Sequence, residues 1–259
     1  MCSNRVTPRY LAAIKAPFPD IAGYEVPAFI ADSKALTSNG TKFFTGEASS
    51  TVYAIWIGTN DLGNGAFLTD SQVPGKTVAD YMDCVYSQMA QLYSNGGRNF
   101  ILMNLAPLHL LPQYVSPAAG GLLATQFFPE KASLNASEIH GRMQQTVSAL
   151  NQIYAYRTPF ESQIANLYPY AKIASFDVNS LMTNIYYHPA QYLNGTAPLN
   201  VQGVTHLCDT QGTNCTLSDS PDSYAWYDPI HPSEQTSRIV AREFVSVMSG
   251  ESKYARYWG

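Results

Sequence analysis

The chain has 259 residues, 46% of them hydrophobic and 13% charged, with a formal net charge of −4. That balance argues against a disordered chain, and the scattered charge gives no basis for a nucleic-acid partner. No run reaches the roughly 18 apolar residues that a membrane span needs, so no membrane partner is expected.

Taken in order, residues 1–50 read as irregular, because Pro8, Pro17, Pro19 and Pro27 break any long helix. Only EVPAFIADSKAL is moderately apolar there. TVYAIWIG (51–58) is apolar on both faces, the pattern of a strand buried inside a parallel sheet, and it runs into the turn-rich TNDLGNG. Residues 75–95 carry Val78, Tyr81, Met82, Val85, Met89 and Leu92 at helical spacing and stop at Gly96-Gly97. NFILMNLAP (99–107) is a second buried strand, closed by Pro107. A Pro-, Gly- and Phe-rich excursion follows, then a helical pattern from Ser137 to Leu167 with a break expected near Pro159. AKIASFDV (171–178) is a third strand, followed by a short helix around SLMTNIYY. Residues 188–226 form a polar, loop-rich insertion, and a last helix begins after Ser233, its expected N-cap.

Alternating strands and helices predict one α/β domain over residues 1–259, an α/β sandwich with a parallel sheet. Three strands are few for this length, so the sheet looks incomplete on its N-terminal side.

Four cysteines allow three pairings, and sequence alone does not choose. The seven-residue spacing favours Cys208–Cys215, with Cys2–Cys84 as the second pair. A metal site on His206 and Cys208 lacks a Cys-x-x-Cys partner, so no metal is expected. Asn-x-Ser/Thr sequons occur at Asn39, Asn135, Asn194 and Asn214. With the disulfides they predict a secreted glycoprotein, yet MCSNRVTPRY has neither the apolar core nor the cleavage site of a signal peptide.

Two loops could carry chemistry. Gly58-Thr59-Asn60-Asp61 follows the first strand, where ligands bind in open parallel sheets. There Gly58 lets the backbone approach a ligand, Asn60 can donate to a developing oxyanion, and Asp61 is grouped with them as a binding residue. The bland alternative is an Asx turn made by Asn60 and Asp61. In DPIH, Asp228 can hold one ring nitrogen of His231 and leave the other as a general base. Here the alternative is a helix-entry turn capped by Asp228, with His231 merely exposed. His109, His140, His188 and His206 lack a nearby acid in a comparable loop and read as structural or surface groups.

Together these loops resemble two blocks of the GDSL, or SGNH, hydrolases. CSNRVTPR, YAIWIGTNDLGN, NLAPLHLLPQY, DPIHPSEQTSRIVAREF and KYARYWG are similar to fungal secreted esterases of carbohydrate esterase family 16. The resemblance covers nearly the whole chain. It implies a three-layer α/β/α sandwich of the flavodoxin-like kind, and removal of acetyl groups from sugars, including acetylated xylo-oligosaccharides, by a Ser-His-Asp triad without metal or other cofactor. His231 would be the base, Asp228 its orienting acid, and Asn60 an oxyanion donor beside Gly58. The Gly-Asp-Ser block that holds the family's nucleophile does not occur; FIADSKAL around Ser33 imitates it, but without the glycine and in the wrong order along the chain. The expectation is therefore an N-terminally truncated, inactive chain, monomeric in kind but poorly soluble because TVYAIWIG would lack a neighbouring strand. A non-catalytic sugar-binding relative and a GDSL lipase or phospholipase are the alternatives.

Overall fold

The computed structural model describes residues 1–11, 15–196 and 198–259 and sets the three expected strands side by side. Its contacts divide the chain into two units. One comprises Met1–Asn104, Leu150–Phe176 and Arg256–Gly259; the other comprises Leu105–Ala149 and Asp177–Ala255. The fold is α/β, with six α-helices and a mainly parallel central sheet among the described residues.

The first unit opens with a short antiparallel pair, β1 (Tyr10–Leu11) and β2 (Ala16–Pro17). Helix α1 (Val26–Lys34) follows, in a stretch whose prolines predict irregular chain. The difference is positional: Pro27 falls in the first turn, where its missing N–H breaks no helical bond. Then come β3 (Val52–Ile55), the single turn α2 (Thr59–Leu62), α3 (Val78–Ser94) and β4 (Asn99–Met103). Helix α4 (Ala136–Pro159) enters this unit at Leu150 and leads to β5 (Lys172–Phe176); β10 (Ala255–Trp258) completes the sheet in the order β10-β5-β4-β3.

β4 lies between two strands and is buried on both faces from Phe100 to Met103, as its unbroken apolar run requires. β3 departs from expectation. It is the terminal strand of this sheet among the described residues, with Val52, Ala54 and Trp56 exposed, although its composition is that of a covered strand.

Helix α3 is fixed at both ends. Thr77 and Asp80 form a capping box, and Gly96 terminates it with a φ of 101°. Its face of Tyr81, Met82, Val85, Met89 and Leu92 is buried, and the Tyr81 hydroxyl donates to Ile57 O at 2.9 Å, tying the helix to the end of the β3 segment.

The expected break at Pro159 is present. Beyond it the helix loosens into a π-turn over Phe160–Ile164, because the proline has no N–H for the preceding turn. Tyr156, Phe160, Ile164 and Leu167 recur at near-helical spacing there and are 74%, 53%, 75% and 53% exposed. Such a stripe drives association. We expect light scattering to report concentration-dependent growth of the chain, and the double change Phe160→Gln, Ile164→Gln to reduce it at unchanged melting temperature. Unaltered growth would shift the cause to the β3 edge.

In the second unit, α5 (Val178–Tyr187) is capped by Asp177, which accepts from Ser180 N at 3.0 Å. Strands β6 (Asn200–Val204) and β9 (Tyr224–Trp226) pair in parallel, while β7 (His206–Cys208) and β8 (Cys215–Leu217) form an antiparallel hairpin. The polar insertion is thus more ordered than its composition predicts. Helix α6 (Glu234–Met248) begins at Ser233, whose hydroxyl accepts from Thr236 N at 3.1 Å, and packs on α5 and β9. Lys131 is buried without a counter-ion among the described residues. Its ammonium donates to Val115 O at 2.8 Å and Leu122 O at 2.5 Å, and burial lowers its pKa to about 8.

Candidate active site

The turn after β9 is built by its own backbone. Trp226 is buried, donates from Nε1 to Val201 O at 2.7 Å, and forms an isolated bridge with Pro232. Tyr227 N donates to His231 O at 2.9 Å, and Gln113 N to Pro229 O at 3.1 Å. Closed in this way, the turn puts Asp228 inside and His231 outside: Asp228 is 6% exposed, the His231 side chain 59%.

Asp228 Oδ1 accepts from the backbone N–H groups of Ile230 and His231, both at 2.9 Å. Its two oxygens lie 2.9 and 2.8 Å from His231 Nδ1. An ionised carboxylate only accepts, so Nδ1 carries the proton and Nε2 offers its lone pair outward. No described residue hydrogen-bonds Nε2. The ring of Phe127 meets the imidazole edge-on, centroids 6.1 Å apart.

Burial pushes Asp228 up, but the hydrogen bonds from His231 and Ile230 outweigh it and hold the carboxyl below its usual range. His231 is raised, chiefly by its bond to Asp228, against the opposing effect of burial. The pair therefore stabilises the fold most between the two values. His231's share is complete below the ordinary histidine value and is lost as pH rises through the raised one. Asp228's share is complete above the ordinary carboxyl value and is lost as pH falls through the depressed one. Imidazole NMR should show His231 titrating above the ordinary histidine range, and Asp228→Asn should bring it down. An unmoved midpoint would contradict the pairing.

Gly58, Asn60 and Asp61 share the α2 turn in the first unit. Gly58 is buried with a φ of 128°, a conformation that favours glycine, and it precedes the helix as its cap. Asn60 is half-buried, and its side-chain amide has no hydrogen-bond partner among the described residues. Asp61 points elsewhere. It is fully buried and accepts from Cys2 N at 3.0 Å on both oxygens and from the Thr7 hydroxyl at 2.6 Å. Burial raises its pKa despite these bonds. Its carboxylate is engaged with the N-terminal segment, a partnership 59 residues apart that local sequence does not signal.

Ser33 lies within α1, where its hydroxyl donates to Ile30 O at 2.8 Å and accepts from Asn95 Nδ2 at 2.9 Å. His109 and His140 meet at 5.8 Å, and burial followed by the neighbouring His140 lowers His109 to about 4. His188 follows α5 and is exposed. Disulfides join Cys2 to Cys84 and Cys208 to Cys215. His206, Cys208 and Cys215 gather their ligand atoms within 4.8 Å, but with both sulfurs in the disulfide the group offers one imidazole rather than a metal-ligand set. Asn39, Asn135, Asn194 and Asn214 are all exposed; Asn135 also caps α4 through Ser137 N at 3.1 Å.

Residues 17–244 match the GDSL-like lipase/acylhydrolase family, a span that takes in the Gly58 turn and the Asp228–His231 pair. The chain belongs to that family. It is 39% identical over 259 residues to an acetylesterase of Hypocrea jecorina, covering 99% of this chain and 72% of that protein. More distant are the GDSL esterase/lipase EXL4 of Arabidopsis thaliana, 21% identical over 76% of this chain and 52% of that protein, and an inactive GDSL esterase/lipase-like protein of the same plant, 24% identical over 80% and 46%. The chain thus spans about half the length of these plant relatives. The acetylesterase match supports an esterase or acylhydrolase function. No described helix of this GDSL-family chain is long and apolar enough to cross a membrane.

Proposed function

We propose that the chain supplies the base, the orienting acid and an oxyanion donor of a serine-type esterase that removes acetyl groups from sugars, acetylated xylo-oligosaccharides among them. The Asp228–His231 pair carries this reading, because its tautomer is set and Nε2 faces outward. Nε2 takes the proton of an attacking hydroxyl and returns it to the leaving sugar oxygen, while Asp228 holds the ring and stabilises the imidazolium. Asn60 donates to the oxyanion, a role its unengaged amide supports. No metal or other cofactor enters the reaction. The two disulfides support secretion, and the exposed sequons support glycosylation.

We assign the nucleophile to none of the described residues. No described hydroxyl reaches His231 Nε2, and Ser33 spends its hydroxyl on Ile30 and Asn95. On this reading the chain by itself is expected to be inactive. Acetate release from acetylated xylo-oligosaccharides and from a nitrophenyl acetate tests this. We expect none from the 259 residues alone and release once a Gly-Asp-Ser strand is added ahead of them. Turnover by the short chain that disappears in Ser33→Ala would overturn the assignment. A non-catalytic sugar-binding role is favoured by the same unpartnered Nε2; oligosaccharide binding without turnover in the extended form would establish it.

A further inference from the structure

Beside His231, in the same unit, two rings are locked in a stack. His206 and Tyr227 lie with centroids 5.2 Å apart and planes 16° from parallel. Hydrogen bonds hold the two chain segments side by side: His206 N and the Thr205 hydroxyl donate to Tyr227 O at 2.7 and 3.1 Å. The His206 ring also touches Cys208 Sγ, its nitrogens 3.7 and 3.9 Å away, so the Cys208–Cys215 disulfide buttresses it. Tyr227 is nevertheless 43% exposed, and its hydroxyl has no hydrogen-bond partner among the described residues.

A core tyrosine would be covered, and a surface tyrosine would be free to rotate. This one is stacked on one face and left wet, with an aromatic body and an unpaired polar tip. Such a group binds amphipathic ligands at small entropic cost. The ring of a sugar is one, with C–H faces for stacking and hydroxyls for the phenol. The place is specific as well, since Tyr227 N is bonded to His231 O and Tyr227 directly precedes Asp228.

We propose that Tyr227, backed by His206 and the Cys208–Cys215 disulfide, is the platform on which the pyranose ring of an acetylated oligosaccharide stacks, positioning its ester beside His231. This rests on the carbohydrate-esterase reading and deepens it.

The test is binding, which needs no nucleophile. Xylotriose and acetylated xylotriose are titrated into the full chain while the imidazole NMR signals of His206 and His231 are followed. Both signals shift in the wild type. Tyr227→Ala weakens binding about tenfold, equivalent to about 1.4 kcal/mol. Tyr227→Phe keeps the stack and most of the affinity. His206→Ala, or reduction of the hairpin disulfide in Cys208→Ser, weakens binding several-fold, and circular dichroism checks that each variant remains folded. Wild-type affinity in folded Tyr227→Ala overturns the platform and leaves the esterase reading standing. Failure of both sugars to bind, with a short-chain nitrophenyl ester still shifting His231, overturns the carbohydrate reading and the platform with it.

Discussion

On the proposed reading, His231→Ala in a hydrolytically active form should lower kcat on the order of 10⁶-fold, as expected when a triad loses its base. Asp228→Asn should cost roughly 10⁴-fold, because the amide can present an N–H to Nδ1 and so select the wrong tautomer. Asn60→Ala should cost about 10²–10³-fold, the scale of one oxyanion donor. These losses should not add, since Asp228 and His231 are joined through bonds of 2.8 and 2.9 Å. Steady-state acetate release from acetylated xylo-oligosaccharides is the measurement. A His231→Ala enzyme within tenfold of its parent would remove His231 from the base role.

The largest stability effect is expected at the other end of the chain. Cys2–Cys84 closes a loop with a sequence separation of 82, for which the chain-entropy model gives about 4–5 kcal/mol. The Cys208–Cys215 ring, with a separation of seven, gives about half of that. Cys2→Ser should therefore lower denaturant stability far more than Cys208→Ser. Asp61→Ala adds a second route to the same loss, because it strips the partners of the buried Cys2 N–H and the Thr7 hydroxyl, at about 1–3 kcal/mol. Once the disulfide is gone the N-terminal segment can leave together with its hydrogen bonds. The double variant Cys2→Ser, Asp61→Ala should then be less destabilised than the sum of the singles. Strict additivity in urea titrations would show that the disulfide and the carboxylate hold different structures.

The sheet was legible where burial leaves a one-dimensional trace. NFILM is apolar at every position because β4 is covered on both faces, and the α3 face repeats with the helical period. α1 was obscured by counting prolines without asking which turn each occupies. β9 and β10 are too short for a periodic signal and are fixed by pairing with chain distant in sequence. At the candidate site the Asp228–His231 pairing was readable because a three-residue separation decides it locally. Asp61 was not, since its partners come from Cys2 and Thr7. The Tyr227 stack depends likewise on His206, brought in by the β7 strand.

The turn that holds His231 draws most of its support from within itself: the carboxylate, the two backbone donors and the Tyr227–His231 bond all fall between residues 227 and 231. Such a device is portable. Its proton affinity is set by these local bonds, so substitutions elsewhere in the chain should leave the raised histidine titration undisturbed.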